Sequence, residues 1–199
     1  VVAGVLRAGV AAGRSPQAIA LELAGRVDLR TGRRVGGVLG LHDRFKDAVD
    51  AARDELIGGD KAAMRNYLGR KLRDSRCDGT GAKALRGKGR IPAKTADKIV
   101  ARYSDRLLRH RAGVLAHHEV TYAVNAGKHE SLHQIVAQGA ITEDMIQRKW
   151  NSRLDSRVRD THAAMHGQTV NGMSEPFKSP SGAQMMHPHD TSLGAGAGE

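Results

Sequence analysis

The sequence predicts a mainly α-helical protein with a small C-terminal α+β unit, and three observations support this fold class. Hydrophobic residues make up 40% of the chain but aromatic residues only 3%, so aliphatic side chains must fill the core, which favours helices. Apolar residues recur at helical spacing over long stretches, and glycines separate these stretches. Near the C-terminus, short apolar pieces alternate with Gly and Pro at turn spacing, which is typical of a small hairpin.

These patterns divide the chain into three predicted regions. Residues 1–90 form a helical N-terminal region with a basic loop. Residues 91–140 form a long helix and a short helix, and residues 141–199 form a small α+β module with a flexible tail. Because the chain begins with Val, and because its first stretch lacks the features of a signal peptide, we expect a fragment or a processed product.

The first elements are two predicted helices within residues 3–24. The second of them opens at Ser15 and Pro16, a pair that is typical of the N-cap and the first helical position. Residues 28–41 are glycine-rich and show no periodicity, so we expect a loop there.

Two more helices are predicted before the basic loop. Residues 42–60 are expected to form a helix that ends at a glycine pair and presents one apolar face, made of Phe45, Val49, Ala52 and Leu56. Residues 61–74 are expected to form a shorter helix. Residues 75–89 contain four glycines and are predicted to be a break.

The longest predicted helix runs from Ala93 to about Asn125, with Gly127 as its cap. Apolar residues recur on it every seven positions in two rows: Val100, Leu107 and Val114, and Leu108, Leu115 and Tyr122. Such a double stripe describes a helix of roughly 50 Å that packs along one side. A short helix over residues 128–139, ended by Gly139, is expected to follow.

The last region is predicted to alternate short strands and a short helix. The second half of residues 141–154 favours a strand, because it holds the only tryptophan of the chain between β-branched and polar residues. Residues 155–167 are expected to form a short helix capped by Asp155 or Ser156. Residues 168–190 are expected to form the hairpin, before the flexible tail.

The net charge of +11 indicates a polyanionic partner, most simply nucleic acid. Much of this charge lies between residues 65 and 90, where two residues are acidic and nine are basic. The basic residues are Arg65, Arg70, Lys71, Arg73, Arg76, Lys83, Arg86, Lys88 and Arg90. Tyr67 is the only aromatic residue there, so we expect contacts to phosphates that are blind to sequence, not stacking on bases. The alternative is a solvated loop that binds nothing.

Templates for catalysis are incomplete in this sequence. Residues 79–84 match a dinucleotide-binding fingerprint, but they do not follow a predicted strand, and the phosphate-binding loop of ATPases is absent. His117 and His118 lack the second histidine that a helical zinc-protease motif needs four residues on. Cys77 is the only cysteine, which excludes an internal disulfide and fits a reducing compartment. No apolar run is long enough to span a membrane.

A group of histidines and aspartates near the C-terminus leaves two interpretations. Its members are His162, His166, His187 and His189 with Asp155, Asp160 and Asp190. In the first interpretation they hold a divalent metal, since His162 and His166 share one helical face. In the second, which we favour, the charged residues brace a small fold whose apolar side is covered by Trp150.

Three segments of the C-terminal half resemble the phage Mu F-like head morphogenesis family, the minor head proteins of tailed phages. They are LLRHRAGVLAHHEVTYAVNAGKHESLHQ, RKWNSRLDSRVRDTHAAMHGQTV and EPFKSPSGAQMMHPHDTSLGAGAGE, from Leu107 to Glu199. The residues that match the family pattern most specifically are Trp150, Asp155, Arg157, Arg159, His162, Gly167, Glu175, Pro176, Phe177 and Asp190.

The resemblance implies a non-enzymatic virion protein without cofactor, bound at the portal vertex inside the phage head. It implies the portal protein and capsid or scaffold proteins as partners, non-specific contact with double-stranded DNA, and host cytoplasm as the place of assembly. Two alternatives come from the residues themselves. One is a metal-dependent nuclease built on the histidine and aspartate group, and the other is a stand-alone DNA-binding protein.

Overall fold

Helices make up most of the computed structural model, which describes residues 1–31, 33–87, 89–156, 158–190 and 192–193. The chain forms two structural units, Val1–His117 (unit 1) and the residues from His118 onward (unit 2). The mainly helical fold class with a long central helix and a small C-terminal α+β part is confirmed. Among the described residues, no helix combines the length and the apolar character that crossing a bilayer requires.

Helices α1 (Val2–Ala11) and α2 (Pro16–Ala24) are the two helices predicted at the N-terminus. The hydroxyl of Ser15 accepts a hydrogen bond from the backbone N–H of Ala18 at 3.3 Å, which confirms Ser15 as the cap of α2. The two helices approach closely at Gly9, where an added Cβ would lie 2.6 Å from Ile19. Gly9 therefore permits the fully buried Ile19 to pack between them.

The predicted loop over residues 28–41 is wrong in part, because it contains the second strand of a small antiparallel ribbon. Strand β1 (Arg26–Val27) pairs with β2 (Arg34–Val35). Two residues are too few to produce a visible alternation in the sequence. The ribbon depends on glycine: at Gly25, which has a φ of 81°, an added Cβ would lie 2.6 Å from the carbonyl oxygen of Val35.

Helices α3 (Asp43–Ile57) and α4 (Lys61–Gly69) confirm the next two predictions. The carboxylate of Asp60 caps α4 by accepting from the N–H groups of Ala62 and Ala63 at 2.8 and 3.3 Å. The predicted apolar face of α3 packs into the main core of unit 1. That core contains the buried residues Ala52, Leu56, Met64, Tyr67, Cys77, Ile91, Ala96, Ile99, Val100, Tyr103 and Leu107.

The predicted break over residues 75–89 is wrong, and with it the description of a basic loop. A 3₁₀ turn (Ser75–Cys77) leads into helix α5 (Asp78–Arg86). Glycine disfavours helix by about 1 kcal/mol, but tertiary packing overrides this preference. Gly81 is buried, and an added Cβ there would lie 2.9 Å from Leu68 of α4, so a glycine is what allows the two helices to meet.

Helix α6 (Ala93–Ala137) spans 45 residues and contains both the long helix and the short helix that the sequence predicted separately. Gly127 does not cap it, because one glycine costs only about 1 kcal/mol against a continuous ladder of hydrogen bonds. The predicted end at Gly139 is confirmed. Gly139 has a φ of 71° and donates to the carbonyl of Val136 at 2.9 Å.

The predicted double stripe on α6 is confirmed only in its first half. Val100 and Leu107 are buried, but Val114 is 54% and Tyr122 37% exposed. At about 100° per residue, Ala112 and Ala116 lie roughly 120° and 160° around the helix from Val100, so the buried face of α6 changes along its length. Farther along α6 the buried positions are the small residues Ala112 and Ala116.

The C-terminal module of unit 2 contains the predicted strand, short helix and hairpin. Strand β3 (Gln147–Lys149) pairs antiparallel with β4 (Thr169–Asn171), and β5 (Phe177–Lys178) forms a hairpin with β6 (Gln184–Met185). Its core consists of Trp150, Met165, Val170, Phe177 and Met185, which confirms Trp150 as an apolar cover. Of the predicted tail over residues 191–199, only residues 192 and 193 are among the described residues.

The start predicted for the short helix of this module is wrong. Helix α7 (Asp160–Ala164) has Arg159 at its N-cap position, so neither Asp155 nor Ser156 caps it. Before it, the N–H of Val158 donates to the carbonyl of Asp155 at 3.1 Å, and the sequence pattern had assigned both residues to the helix.

Candidate functional site

The basic segment of residues 65–90 contains arginines that are paired with carboxylates of unit 1. Arg70 donates to both oxygens of Glu55 at 2.8 and 2.9 Å, and its guanidinium lies 5.6 Å from the centre of the Tyr103 ring. This hydrogen bonding to Glu55 raises the pKa of Arg70. Arg73 forms the same two-pronged pair with Asp78, at 2.9 Å for both bonds. These two arginines are therefore largely occupied within the fold.

The other cations of the predicted DNA-binding set are exposed on the surface of unit 1. They are Arg65, Lys71, Arg76, Lys83, Arg86 and Arg90. Lys88 lies outside the described residues. Arg76 is exposed and also paired, since it binds Asp74. The structure thus distinguishes members of the predicted set that are enclosed in ion pairs from members that are exposed, which counting charges along the chain cannot do.

Asp74 is a buried carboxylate surrounded by arginines. Its side chain is 1% exposed, and Arg76 donates to both of its oxygens, at 2.9 Å from Nε to Oδ1 and 2.8 Å from Nη2 to Oδ2. Two arginines of α6 approach the same carboxylate, Arg102 at 3.5 Å and Arg106 at 3.7 Å. The hydrogen bonds from Arg76 outweigh the opposing effect of burial and lower the pKa of Asp74 to about 2. Asp74 is therefore ionised at neutral pH.

Three arginines of α6 form a row that the sequence analysis did not single out. Arg102, Arg106 and Arg109, which we call the α6 arginine stripe, are separated by four and three residues and so share one face of the helix. This spacing is visible in the sequence and could have indicated the row. Beside it, a cavity of about 530 Å³ is lined by residues of α2 and α6, including Leu21, Arg106 and Arg109.

Arg148 connects three parts of the C-terminal module through its guanidinium group. It donates to the backbone carbonyls of Gly172 and Met186, both at 2.8 Å, and to that of Glu175. Its guanidinium also lies 5.4 Å from the centre of the Phe177 ring. Sequence reasoning missed this residue, although alternation along β3 places it on the same face as the buried Ile146 and Trp150.

Two acidic motif residues bind backbone N–H groups of the same module. The carboxylate of Asp190 accepts from Met186 at 2.8 Å and from Ser192 at 2.9 Å, and its residue is 3% exposed. Burial would raise the pKa of Asp190, but these hydrogen bonds together outweigh it and lower the pKa. Glu175 accepts from the N–H of Asn171 at 2.7 Å.

Two more motif residues, Phe177 and Gly167, also serve the fold of the module. Phe177 is buried and packs on Trp150 with ring centres 5.3 Å apart, and Pro176 beside it is half-buried. Gly167 has a φ of 85° and donates to the carbonyl of Trp150 at 2.9 Å. Arg159 is exposed at the start of α7. Arg157 lies outside the described residues.

His162 and His166 lie beside Trp150. The His162 ring stands edge-on to the Trp150 ring, with centres 5.7 Å apart. The indole N–H of Trp150 donates to the hydroxyl of Ser152, which donates in turn to the carbonyl of His162. The Nδ1 atom of His166 accepts from the N–H of Ser152 at 3.1 Å.

The other two histidines of the predicted group pack against α6. His189 stands edge-on to His118 with ring centres 4.8 Å apart, and His187 lies 5.7 Å from Tyr122 and 5.8 Å from His129. The predicted group is thus divided between two places in unit 2. Within the described ranges, no three His, Cys, Asp or Glu residues are arranged so that they could hold a metal ion.

Residues 88–189, just over half of the chain, match the family described as phage Mu protein F like protein. The matched segment contains α6 and the C-terminal module with Arg148, Trp150 and Phe177. No curated protein matches the chain, and no solved structure does.

Proposed function

Because the chain belongs to the family of phage Mu protein F like proteins, and is on that ground a phage head morphogenesis protein, we propose that it is a non-enzymatic minor head protein of the portal vertex. It acts in capsid assembly and in the packaging or delivery of DNA. Its partners are the portal protein, capsid or scaffold proteins, and double-stranded DNA, which it binds without sequence preference. It is built in the host cytoplasm and resides inside the virion.

The observation that supports this proposal best is the family match over α6 and the C-terminal module. Inside that match, the chemically versatile side chains are directed at the backbone of the module. Arg148 binds carbonyl groups, and Glu175 binds an N–H group. Side chains that form hydrogen bonds to the backbone stabilise the fold of the module, and this use favours a binding role over a catalytic role.

The positive charge of the chain supports the DNA-binding part of the proposal. The net charge of +11 includes exposed cations of unit 1, among them Arg102, Arg106 and Arg109. Cations that contact phosphates release counterions from the duplex, which makes the affinity fall steeply with salt and leaves it indifferent to base sequence. Duplexes of unrelated sequence should therefore bind equally well, with the same dependence on salt.

The portal assignment is tested by co-expression with the portal protein of the same genome. We expect the two proteins to purify together, and to remain together at a salt concentration that removes DNA. A portal gene upstream and a scaffold or capsid gene downstream would agree with this result. A purified chain that stays apart from the portal and cuts DNA in magnesium or manganese, with the activity lost in His162→Ala, would overturn the assignment in favour of a nuclease.

A further inference from the structure

We propose that the α6 arginine stripe, together with Arg76, is the surface that contacts the phosphate backbone of duplex DNA. This inference rests on the proposed DNA binding and names the residues that perform it. It differs from the prediction made from charge along the sequence, which placed the contact over the whole of residues 65–90.

The arginines around Asp74 carry a surplus of positive charge. Arg76, Arg102 and Arg106 converge on this single buried carboxylate, so the group has three cations for one anion. Arg76 occupies both oxygens through hydrogen bonds. Arg106, at 3.7 Å from Oδ1, is too far for a hydrogen bond. The side chains of Arg102 and Arg106 are 55% and 42% exposed, so an external anion can reach their guanidinium groups.

Asp74 fixes Arg102 and Arg106 in position without neutralising their charge. A buried carboxylate at 3.5 to 3.7 Å restricts the positions of Arg102 and Arg106, which would otherwise sample many rotamers. Cations that are held in place lose less conformational entropy when they bind a phosphate. Asp74 is therefore a positioning residue of this surface.

The spacing of the α6 arginine stripe also favours a duplex as the partner. From Arg102 to Arg109 the α6 axis rises by roughly 10 Å, since each helical residue adds about 1.5 Å. Over the same distance one strand of a duplex presents about three phosphates, because the charges of one strand lie about 3.4 Å apart along the axis. A row of regularly spaced cations thus meets a backbone that carries charge at regular intervals, which favours a regular polyanion over the irregular charges of an acidic protein.

The cavity beside the α6 arginine stripe strengthens the attraction of an anionic partner. Arg106 and Arg109 line it together with the apolar side chains of Ala20, Leu21 and Leu72. Apolar walls of low dielectric constant concentrate the field of the cations and raise the local concentration of an anionic partner. Arg34, which also lines the cavity, is already paired with Asp105 at 2.5 Å and contributes less.

The experiment compares two triple variants of the full chain, each of which removes three positive charges. The first is Arg102→Gln, Arg106→Gln and Arg109→Gln, and the control is Lys83→Gln, Arg86→Gln and Arg90→Gln. Binding of a short fluorescent duplex is followed by anisotropy over a series of salt concentrations. For the stripe variant we expect a loss of affinity of at least about tenfold and a salt dependence that flattens by roughly two to three units. For the control we expect a loss of less than about threefold.

Three outcomes would overturn the inference. If the control loses as much affinity as the stripe variant, the protein binds DNA through its general charge, and the proposed DNA binding survives without the stripe. If the unaltered chain does not bind duplex at low salt, the DNA-binding part of the proposed function itself is wrong. If the unaltered chain binds polyglutamate as tightly as DNA, and the stripe variant loses both, the surface fits an acidic protein.

A single variant keeps the test valid if the triple variant fails to fold. Arg109 is exposed, and among the described residues it forms no ion pair with Asp74, so Arg109→Glu leaves the buried carboxylate and its partners unchanged. Circular dichroism should show the same helix content as in the unaltered chain. We expect Arg109→Glu to weaken duplex binding several-fold and Arg86→Glu, its control, to do so by less than twofold.

Discussion

In unit 1, helices bury large apolar side chains such as Leu56, Met64 and Tyr67 in one core cluster. In the C-terminal module of unit 2, strands of two or three residues surround a smaller core cluster that contains Trp150, Met165, Val170, Phe177 and Met185. Both regions contain buried or half-buried charges, but those charges have different partners. In unit 1 Arg70 and Arg76 bind carboxylates of other side chains, whereas in the module Arg148 and Asp190 bind the backbone.

This difference determines how each region responds to mutation. A side-chain ion pair can be replaced on both sides by apolar residues of similar size, often at little cost. A backbone carbonyl or N–H group cannot be replaced, so the loss of its partner leaves it buried and unsatisfied. The C-terminal module should therefore depend on single charged residues far more than unit 1 does.

The largest effect is expected from Arg148→Met. The substitution removes the donors for the carbonyls of Gly172, Glu175 and Met186 while it keeps most of the side-chain volume. We expect the free energy of unfolding of the module to fall by about 3–5 kcal/mol. Trp150 is the only tryptophan, so denaturant unfolding followed by its fluorescence reports on this module.

The matched control for this variant is Lys149→Met. Lys149 is the exposed neighbour of Arg148 on β3, so the change removes the same charge from the same strand without touching the carbonyl groups. Its effect should stay within about 0.5 kcal/mol. Equal destabilisation by both variants would show that charge, and not backbone hydrogen bonding, is what the module requires.

The next largest effect is expected from Asp190→Ala, which leaves the N–H groups of Met186 and Ser192 without their acceptor. We expect a loss of about 2–3 kcal/mol by the same fluorescence measurement, against almost none for the exposed Asp144→Ala. The pKa of Asp190 is lowered in the folded protein, so its contribution is present at neutral pH and declines as the pH falls below the usual range of a carboxylate. A module that keeps its stability in Asp190→Ala would contradict the structural role of this motif residue.

A smaller effect is expected in unit 1 from Asp74→Asn. The folded pKa of about 2 lies below the ordinary aspartate pKa of 3.8, so the ionised carboxylate stabilises the fold above about pH 4 and this stabilisation is lost as the pH falls towards 2. Because Arg76 is 76% exposed and solvent screens the pair, we expect only about 1–2 kcal/mol. Circular dichroism should show that Asp74→Asn removes this part of the acid dependence and that Asp50→Asn, on the exposed face of α3, does not.

The smallest effect is expected when both partners of a side-chain pair in unit 1 are replaced. Arg70→Met combined with Glu55→Leu removes the two-pronged pair, and both new side chains can pack near Tyr103. We expect a change within about 1 kcal/mol by circular dichroism, whereas Arg70→Met alone should cost more because it leaves Glu55 unpaired. A double variant as unstable as Arg148→Met would remove the contrast between the two regions.

Much of the fold could be predicted from the sequence because its signals are local. Ser15 and Pro16 marked the start of α2, Gly139 the end of α6, and the apolar face of α3 its side towards the core. Caps and periodicity act within a few residues of the chain, so they can be recognised without knowledge of the neighbours. Trp150 as the apolar cover of the module was predictable for the same reason.

The errors arose where a distant contact outweighs local preference. Helix α5 was predicted as a break because of its glycines, but Gly81 is the position at which α4 approaches. The continuation of α6 through Gly127 and the start of α7 at Asp160 were missed in the same way. Local propensities are worth about 1 kcal/mol per residue, and a few tertiary contacts exceed that.

The sequence by itself determined the helical class, the surplus of positive charge and the family pattern of the C-terminal half. Only the tertiary structure decided what each charged residue binds. It paired Arg70 with Glu55, placed Arg102 and Arg106 around Asp74, and directed Arg148 to backbone carbonyls. The physical reason is that an ion pair or hydrogen bond requires its two groups to lie within about 3 to 4 Å, and the fold brings such groups together from positions far apart in the chain.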